Sequence, residues 1–235
     1  MEIRRIVGLL PENPGLYDEL SAYRNLDFYA RLYDIPRDRR EENIERFLKM
    51  LDLWDRRNDP VGSFSKGMKQ KMAIARALVH EPQVLFLDEP TAGLAPESAK
   101  VVRDFILELK EEGRTIFLCT HNLDEAERLC DRIGIINQSL LAEGVPKDLE
   151  NRLWGRTTVI HLSSLDNRIP EVVGKVRGVK GVEVKGETLF VEVDDPEKQN
   201  PEIVEAIVKT GGRIKYVSEL KRGLEEVYLR LLGGE

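Results

Sequence analysis

Two adjacent carboxylic acids, Asp88 and Glu89, close the segment VLFLDEP and are the residues best suited to chemistry. Four apolar residues precede them, which predicts that the pair lies at the end of a buried strand. One acid there can hold a hard cation such as Mg²⁺, directly or through water, and its neighbour can act as general base on a water. Asp88 is therefore predicted to bind the metal and Glu89 to be catalytic. The alternative is an acid pair that caps the next helix.

Two other positions are suited to phosphate. Ser65 begins a predicted helix and Gly67 leaves the backbone bare beside it, which favours anion binding, although an ordinary N-cap serine explains the pattern equally well. His121 ends the apolar segment TIFLCTH and could hydrogen-bond a phosphate oxygen, whereas a lone histidine is more often structural. His80 and His161 are assigned no function.

The elements that must position these side chains alternate between strands and helices. Apolar runs predict strands at residues 3–10, 84–88 and 115–119, and helical spacing predicts helices at 20–33, 40–54, from 65 onward and at 97–111. This order is typical of an α/β fold with a parallel sheet. Ligands of such sheets bind beyond the carboxyl ends of the strands, where Pro11–Glu12, Asp88–Glu89 and Thr120–His121 fall.

The pattern changes after Gly155, where three segments alternate apolar and polar residues. With a fourth strand and two helices they give the order β-α-β-β-α-β, the split βαβ or ferredoxin-like arrangement. We therefore predict two domains, residues 1–154 and a small α+β domain at 156–235, which ends in a helix at 219–232.

Composition limits the function classes. The 235 residues carry a net charge of −6, which argues against nucleic acid as a partner. Two cysteines do not make a disulfide framework. No apolar run approaches the roughly 18 residues of a membrane span, so the chain is predicted to be soluble and cytoplasmic, and to reach a membrane only through a partner.

Together these motifs resemble the ABC ATPase family over residues 1 to about 150. FSKGM at 64–68 is similar to the signature motif, VLFLDEP to the Walker B strand, TAGLAP to the D-loop and His121 to the switch histidine. LLPENPGLY is similar to the Q-loop, with Glu12 at the usual glutamine. The tail, with its closing LEEVYLRLLGG, resembles the accessory domain of exporter-type subunits.

The resemblance implies a P-loop NTPase (RecA-like) sheet with a helical subdomain at about 13–80, and a subunit that binds ATP and Mg²⁺. Two such subunits sandwich two ATP molecules and drive a transmembrane permease, on the inner face of the cell membrane. His121 would sense the γ-phosphate, and Glu12 would belong to the nucleotide site. Ser65, Lys66, Gly67 and Met68 would form the signature surface, with Ser65 and Gly67 on the γ-phosphate bound by the opposite subunit.

The sequence departs from the family pattern at three points. Met68 stands at the signature's common glutamine, Ala95 stands at the D-loop's usual aspartate, and no segment matches the phosphate-binding P-loop G-x-x-x-x-G-K-[ST]. We predict a chain that lacks the family's N-terminal lobe and binds ATP weakly alone. A second polypeptide that supplies the lobe and a rearranged fold are the alternatives.

Two further functions are open at this stage. A non-catalytic interaction module would bind a permease or an intact ATPase subunit without hydrolysing ATP. An ABC protein of translation or DNA repair is disfavoured, because the chain has a single signature motif and is acidic overall.

Overall fold

The computed structural model describes residues 2–11, 15–220 and 222–233. The chain divides into two compact units, Met1–Cys130 and Asp131–Glu235. The division falls ahead of the boundary at 154–156 predicted from the sequence. It does so because the hairpin and helix at residues 133–154 group with the tail: within the second unit, that helix packs on the chain's last helix.

A three-stranded parallel sheet forms the base of the first unit. Its order is β1-β2-β3, with strands β1 (Val7–Leu10), β2 (Val84–Asp88) and β3 (Thr115–Cys119). The predicted first strand is wrong at its start, because residues 2–6 form a short helix, α1 (Glu2–Ile6). Its isoleucines are exposed, and the strand begins where Val7 pairs with Val84.

The helices of the first unit cover one face of this sheet. Leu10, Leu85 and Leu87 are buried there in a single core with residues of the helices. Gly8 allows the closest approach, since a Cβ at this position would lie 2.3 Å from the carbonyl oxygen of Ala77. The helices are α2 (Ala22–Leu32), α3 (Arg37–Met50), α4 (Lys66–Leu78), α5 (Pro96–Glu111) and α6 (Leu123–Leu129), with 3-10 turns at Trp54–Arg56 and Val61–Ser63.

The opposite face of the sheet carries an exposed apolar row. Leu9, Phe86 and Phe117 stand side by side in the strand register. Phe86 is 39% exposed and Phe117 55% exposed, and their rings stack with centroids 5.0 Å apart. The prediction that these apolar runs are buried throughout is therefore wrong for this face. Apolar composition alone did not separate a strand covered on both sides from a strand covered on one side.

The second unit contains two antiparallel sheets. Strands β4 (Ile133–Asn137) and β5 (Ser139–Gly144) pair with each other, and a four-stranded sheet has the order β7-β8-β6-β9. Helices α8 and α9 contact the four-stranded sheet, which has the split βαβ topology. The remaining bounds are α7 (Pro146–Trp154), β6 (Arg156–Leu162), α8 (Arg168–Gly174), β7 (Val179–Lys185), β8 (Thr188–Val193), α9 (Pro196–Lys209), β9 (Ile214–Glu219) and α10 (Leu224–Gly233).

Candidate functional site

The carboxyl ends of β2 and β3 bring together two of the predicted polar clusters. Asp88 pairs with Cys119 in the strand register, and the next amide, Glu89 N–H, donates to the Cys119 carbonyl oxygen at 2.9 Å. His121 follows two residues after Cys119. Parallel pairing therefore places the turn that carries Glu89 beside the turn that carries His121, as expected for a ligand-binding edge of an α/β sheet.

Glu89 is held in an unusual backbone conformation by bonds to its neighbour. Its φ is +46°, a left-handed value that is uncommon for a residue other than glycine. Its Oε1 accepts the backbone N–H of His121 at 2.8 Å and lies 2.7 Å from His121 Nδ1. The histidine side chain is 83% exposed. A fixed carboxylate beside an accessible imidazole is an arrangement that can activate a water and contact a phosphate.

The structure contradicts the alternative in which this acid pair caps the next helix. The N-cap of α5 is Ala95, with Pro96 in the first turn, and no side chain caps this helix. Pro96 has no N–H to satisfy, which reduces the need for a cap. Asp88 and Glu89 instead lie several residues earlier, at the sheet edge.

Asp88 ends β2 with an exposed side chain. Over the ranges that the structure describes, no group of three or more His, Cys, Asp or Glu residues could hold a metal ion. A single carboxylate still fits Mg²⁺, which commonly takes one or two protein ligands and fills its octahedron with phosphate oxygens and water. Asp88 is the residue here that would contribute to such a site.

The predicted signature residues, Ser65 to Met68, lie at the start of α4, against the segment that follows β2. Ser65 is the N-cap of α4 and accepts the Met68 N–H at 3.3 Å, so its ordinary capping role is present in the structure. Lys66 lies against Gly93, where an added Cβ would be 2.5 Å from the lysine Nζ. Gly67 faces the Ser98 hydroxyl, 3.1 Å from where its Cβ would be.

Within the described chain, no hydrogen bond joins residues 65–68 to Glu89 or His121. The two groups are linked indirectly through the segment after β2, where Gln70 of α4 donates to the Pro90 carbonyl oxygen at 3.1 Å. The predicted Q-loop residue, Glu12, lies outside the described residues.

Sequence reasoning missed three residues that support the site. Glu125 is only 3% exposed, and its carboxylate accepts the Thr91 hydroxyl at 2.5 Å and Arg103 Nη1 at 3.0 Å. In the sequence, Glu125 is simply one of two acids in the first turn of α6. A usable signal was its spacing of four residues from the buried Leu129, which puts both on the inward face of that helix.

Comparisons with known proteins agree with this architecture. A family model described as "ABC transporter" matches residues 1–92. The Nod factor export ATP-binding protein I of Rhizobium etli is 34% identical over 99% of this chain and 71% of its own length. The linearmycin resistance ATP-binding protein LnrL of Bacillus subtilis is 30% identical over 97% of this chain and 74% of its own length.

Solved structures give the same result. A structure described as the ATP-binding subunit of an ABC transporter is 33% identical with a TM-score of 0.58, over 65% of this chain and 64% of that one. A Clostridium perfringens protein, described as part of the ABC transporter complex cbiONQ, is 30% identical with the same TM-score, over 65% of this chain and 62% of its own.

The first unit is an α/β domain in which helices cover one face of a parallel sheet and polar residues lie at the carboxyl ends of the strands. This is the kind of domain found in ABC ATPase subunits. The chain belongs to the ATP-binding protein family of ABC transporters. In the described ranges, no helix has both the length and the apolar character needed to cross a membrane.

Proposed function

We propose that this protein acts in an ATP-hydrolysing subunit of an ABC transporter, and that Glu89 is the base that activates water. The observation that supports this role most strongly is the carboxylate of Glu89, fixed by the backbone N–H and Nδ1 of His121 at the carboxyl edge of the sheet. A general base must be held within hydrogen-bond reach of the water it activates, and this geometry holds the carboxylate while leaving a third of it exposed.

The other site residues take supporting roles in this proposal. Asp88 contributes to a Mg²⁺ site shared with phosphates and water, and His121 contacts the γ-phosphate. Mg²⁺ supplies charge stabilisation for the phosphoryl group when it is bound. Ser65, Lys66, Gly67 and Met68 form the surface that meets the nucleotide of a second ATP-binding subunit.

We further propose that the helical layer of the first unit contacts a transmembrane permease, so that the subunit sits at the inner face of the membrane. Tyr17, Phe28 and Tyr29 form an aromatic cluster there, with Tyr17–Phe28 ring centroids 5.1 Å apart. Tyr17 and Phe28 are substantially exposed. Exposed aromatic groups are enriched at protein interfaces, which supports this surface as the contact.

The test is Glu89→Gln in a version of the protein that also carries a glycine-rich phosphate-binding loop. We expect steady-state ATP turnover to fall roughly 10²–10⁴-fold, as loss of a general base does. Glu111→Gln, an exposed acid at the end of α5, is the matched control and should leave turnover unchanged. Turnover of Glu89→Gln within a few-fold of the parent would remove Glu89 from this role.

A second candidate function is a non-catalytic module that binds a permease or an intact ATP-binding subunit. The presence of Ala95 in the predicted D-loop, where the family has an aspartate, favours it. Co-purification of the chain with an intact subunit, without any stimulation of ATP hydrolysis, would support this function over the first.

A further inference from the structure

The carboxylate of Glu125 joins three elements around the candidate site. It lies on α6 and is almost completely buried. Oε2 accepts the hydroxyl of Thr91, in the loop after β2, and Oε1 accepts Arg103 Nη1, from the middle of α5. A buried carboxylate is tolerated when its oxygens are paired, and the arginine bond is charge-assisted and therefore strong.

The two chain segments that Glu125 joins are the ones that carry the site. Thr91 follows Glu89 by two residues, and Glu125 follows His121 by four. The Asn122 side chain accepts the Glu125 N–H at 3.2 Å and caps α6, so the helix begins directly after His121. A displacement of Glu125 is therefore transmitted over about one helical turn to His121, and through Thr91 over two residues to Glu89.

The loop after β2 is also held from its other side. Gln70, on α4, donates its side-chain N–H to the Pro90 carbonyl oxygen at 3.1 Å. Pro90 and Thr91 are thus held between the signature helix α4 and helix α6. Because Glu89 has a strained left-handed φ, its conformation depends on such surrounding contacts to persist.

We propose that Glu125 is a positioning residue that keeps the Glu89 carboxylate and His121 in mutual hydrogen-bond geometry, through Thr91 on one side and α6 on the other. This inference rests on the proposed function of Glu89 and His121. It adds a buried residue that acts through the segments that it joins.

The primary test measures geometry without ATP. In Glu125→Gln, the carboxylate charge is lost and an NH₂ group that cannot accept replaces one of the two oxygens, so one of the two bonds accepted from Thr91 and Arg103 is lost. We expect amide hydrogen exchange of Glu89 and His121 to accelerate roughly 10–100-fold, the effect of losing one buried hydrogen bond. Core amides of the same unit, such as that of Leu109 in α5, should exchange at the parent rate. Glu41→Gln, which breaks an exposed pair with Arg37, is the control and should change neither amide.

Two milder variants test the bond between Thr91 and Glu125 with less risk of misfolding. Thr91→Val removes the hydroxyl and keeps the side-chain shape, while Thr91→Ser keeps the hydroxyl. We expect Val to accelerate exchange at Glu89 and His121, and Ser to behave as the parent. Exchange at these two amides within twofold of the parent in both Glu125→Gln and Thr91→Val would overturn the proposal. Equal acceleration of all amides in the unit would overturn it too, because it would show a purely structural role.

Turnover separates this inference from the proposed function on which it rests. In the P-loop-carrying version, Glu125→Gln should lower kcat roughly tenfold or more with little change in KM for ATP, as expected when transition-state geometry alone is lost. If the amides of Glu89 and His121 loosen while Glu89→Gln retains full turnover, the positioning role stands and the catalytic role of Glu89 fails. A loss confined to KM would overturn positioning.

Discussion

The exposed apolar row on the three-stranded sheet, formed by Leu9, Phe86 and Phe117, leads to a prediction about stability. A matched pair of variants can check it. Phe105 and Phe117 are the same residue type in the same unit, and they differ in burial. Phe105 is 2% exposed and meets Phe47 edge-on at 6.4 Å, whereas Phe117 is 55% exposed. Truncating each to alanine therefore compares a core position with the open sheet face.

The expected magnitudes follow from these exposures. Phe105→Ala removes a fully buried ring and leaves a cavity, which lowers the free energy of unfolding by about 3–5 kcal/mol. Phe117 has a little under half of its surface covered and leaves no closed cavity, so the transfer contribution is about 1 kcal/mol. Losing the stack on Phe86 adds about 0.5–1 kcal/mol. We expect Phe105→Ala to be more destabilising than Phe117→Ala by about 1–3.5 kcal/mol.

Urea unfolding at equilibrium can measure this difference. The chain has two tryptophans, Trp54 in the first unit and Trp154 in the second, so Trp154→Phe provides a background in which fluorescence reports the first unit alone. At a typical slope of about 1–3 kcal/mol per M, the two variants should differ in midpoint by roughly 1 M. Equal shifts for Phe105→Ala and Phe117→Ala would refute the reasoning. Repeating the measurement at two protein concentrations would show whether a second copy covers the face.

Two other predictions concern the first unit. Burial lowers the pKa of His80, whose Nε2 lies 3.0 Å from the Val7 carbonyl oxygen, so its protonation opposes folding. The stability that neutral His80 contributes should be complete above its unfolded pKa of about 6.5 and should be lost as the pH falls below that value. Between pH 7 and pH 5, the urea midpoint of His80→Gln should therefore vary less than that of the parent protein. Gly8→Ala would force a methyl group against the Ala77 carbonyl oxygen and should lower the free energy of unfolding by about 1–3 kcal/mol or more. The control Gly174→Ala, with no neighbour closer than 4.0 Å, should be almost neutral. Similar urea midpoints for both variants would contradict the close approach at Gly8.

The order of elements could be predicted from the sequence because local signals were strong. Ser65 and Asn122 each stand directly before a helical pattern, and both are N-caps that accept a backbone N–H in the structure. The β2 and β3 runs end in polar residues, and their strands end there too. Errors arose where a local signal competed with packing. The last helix, predicted at residues 219–232, begins only at Leu224, because Ile214–Glu219 form β9.

The residues of the candidate site could be predicted from the sequence, but the hydrogen bonds that hold them in place could not. Spacing and residue type identified Asp88, Glu89 and His121, because polar residues at the ends of apolar strands are a local feature of the sequence. The bonds from Glu125 to Thr91 and Arg103 span 34 and 22 residues. No periodicity encodes such pairs, since they depend on how α5 and α6 pack together. The left-handed backbone at Glu89 was equally inaccessible, because glutamate gives no local indication of a positive φ.

The backbone of Glu89 distinguishes a functional acid from an ordinary turn residue. The other described non-glycine residues with positive φ lie at sites where a left-handed residue is common, after the ends of α2, α3 and α4 or between β4 and β5: Asp34, Asp52, Glu81 and Gln138. Glu89 instead directly follows the parallel strand β2. A left-handed residue costs of order 1–3 kcal/mol there, and glycine would avoid this cost. Glycine would also leave the His121 backbone N–H and imidazole without their carboxylate partner. The positive φ of Glu89 is therefore explained by the hydrogen bonds between its side chain and His121, and not by a turn of the backbone.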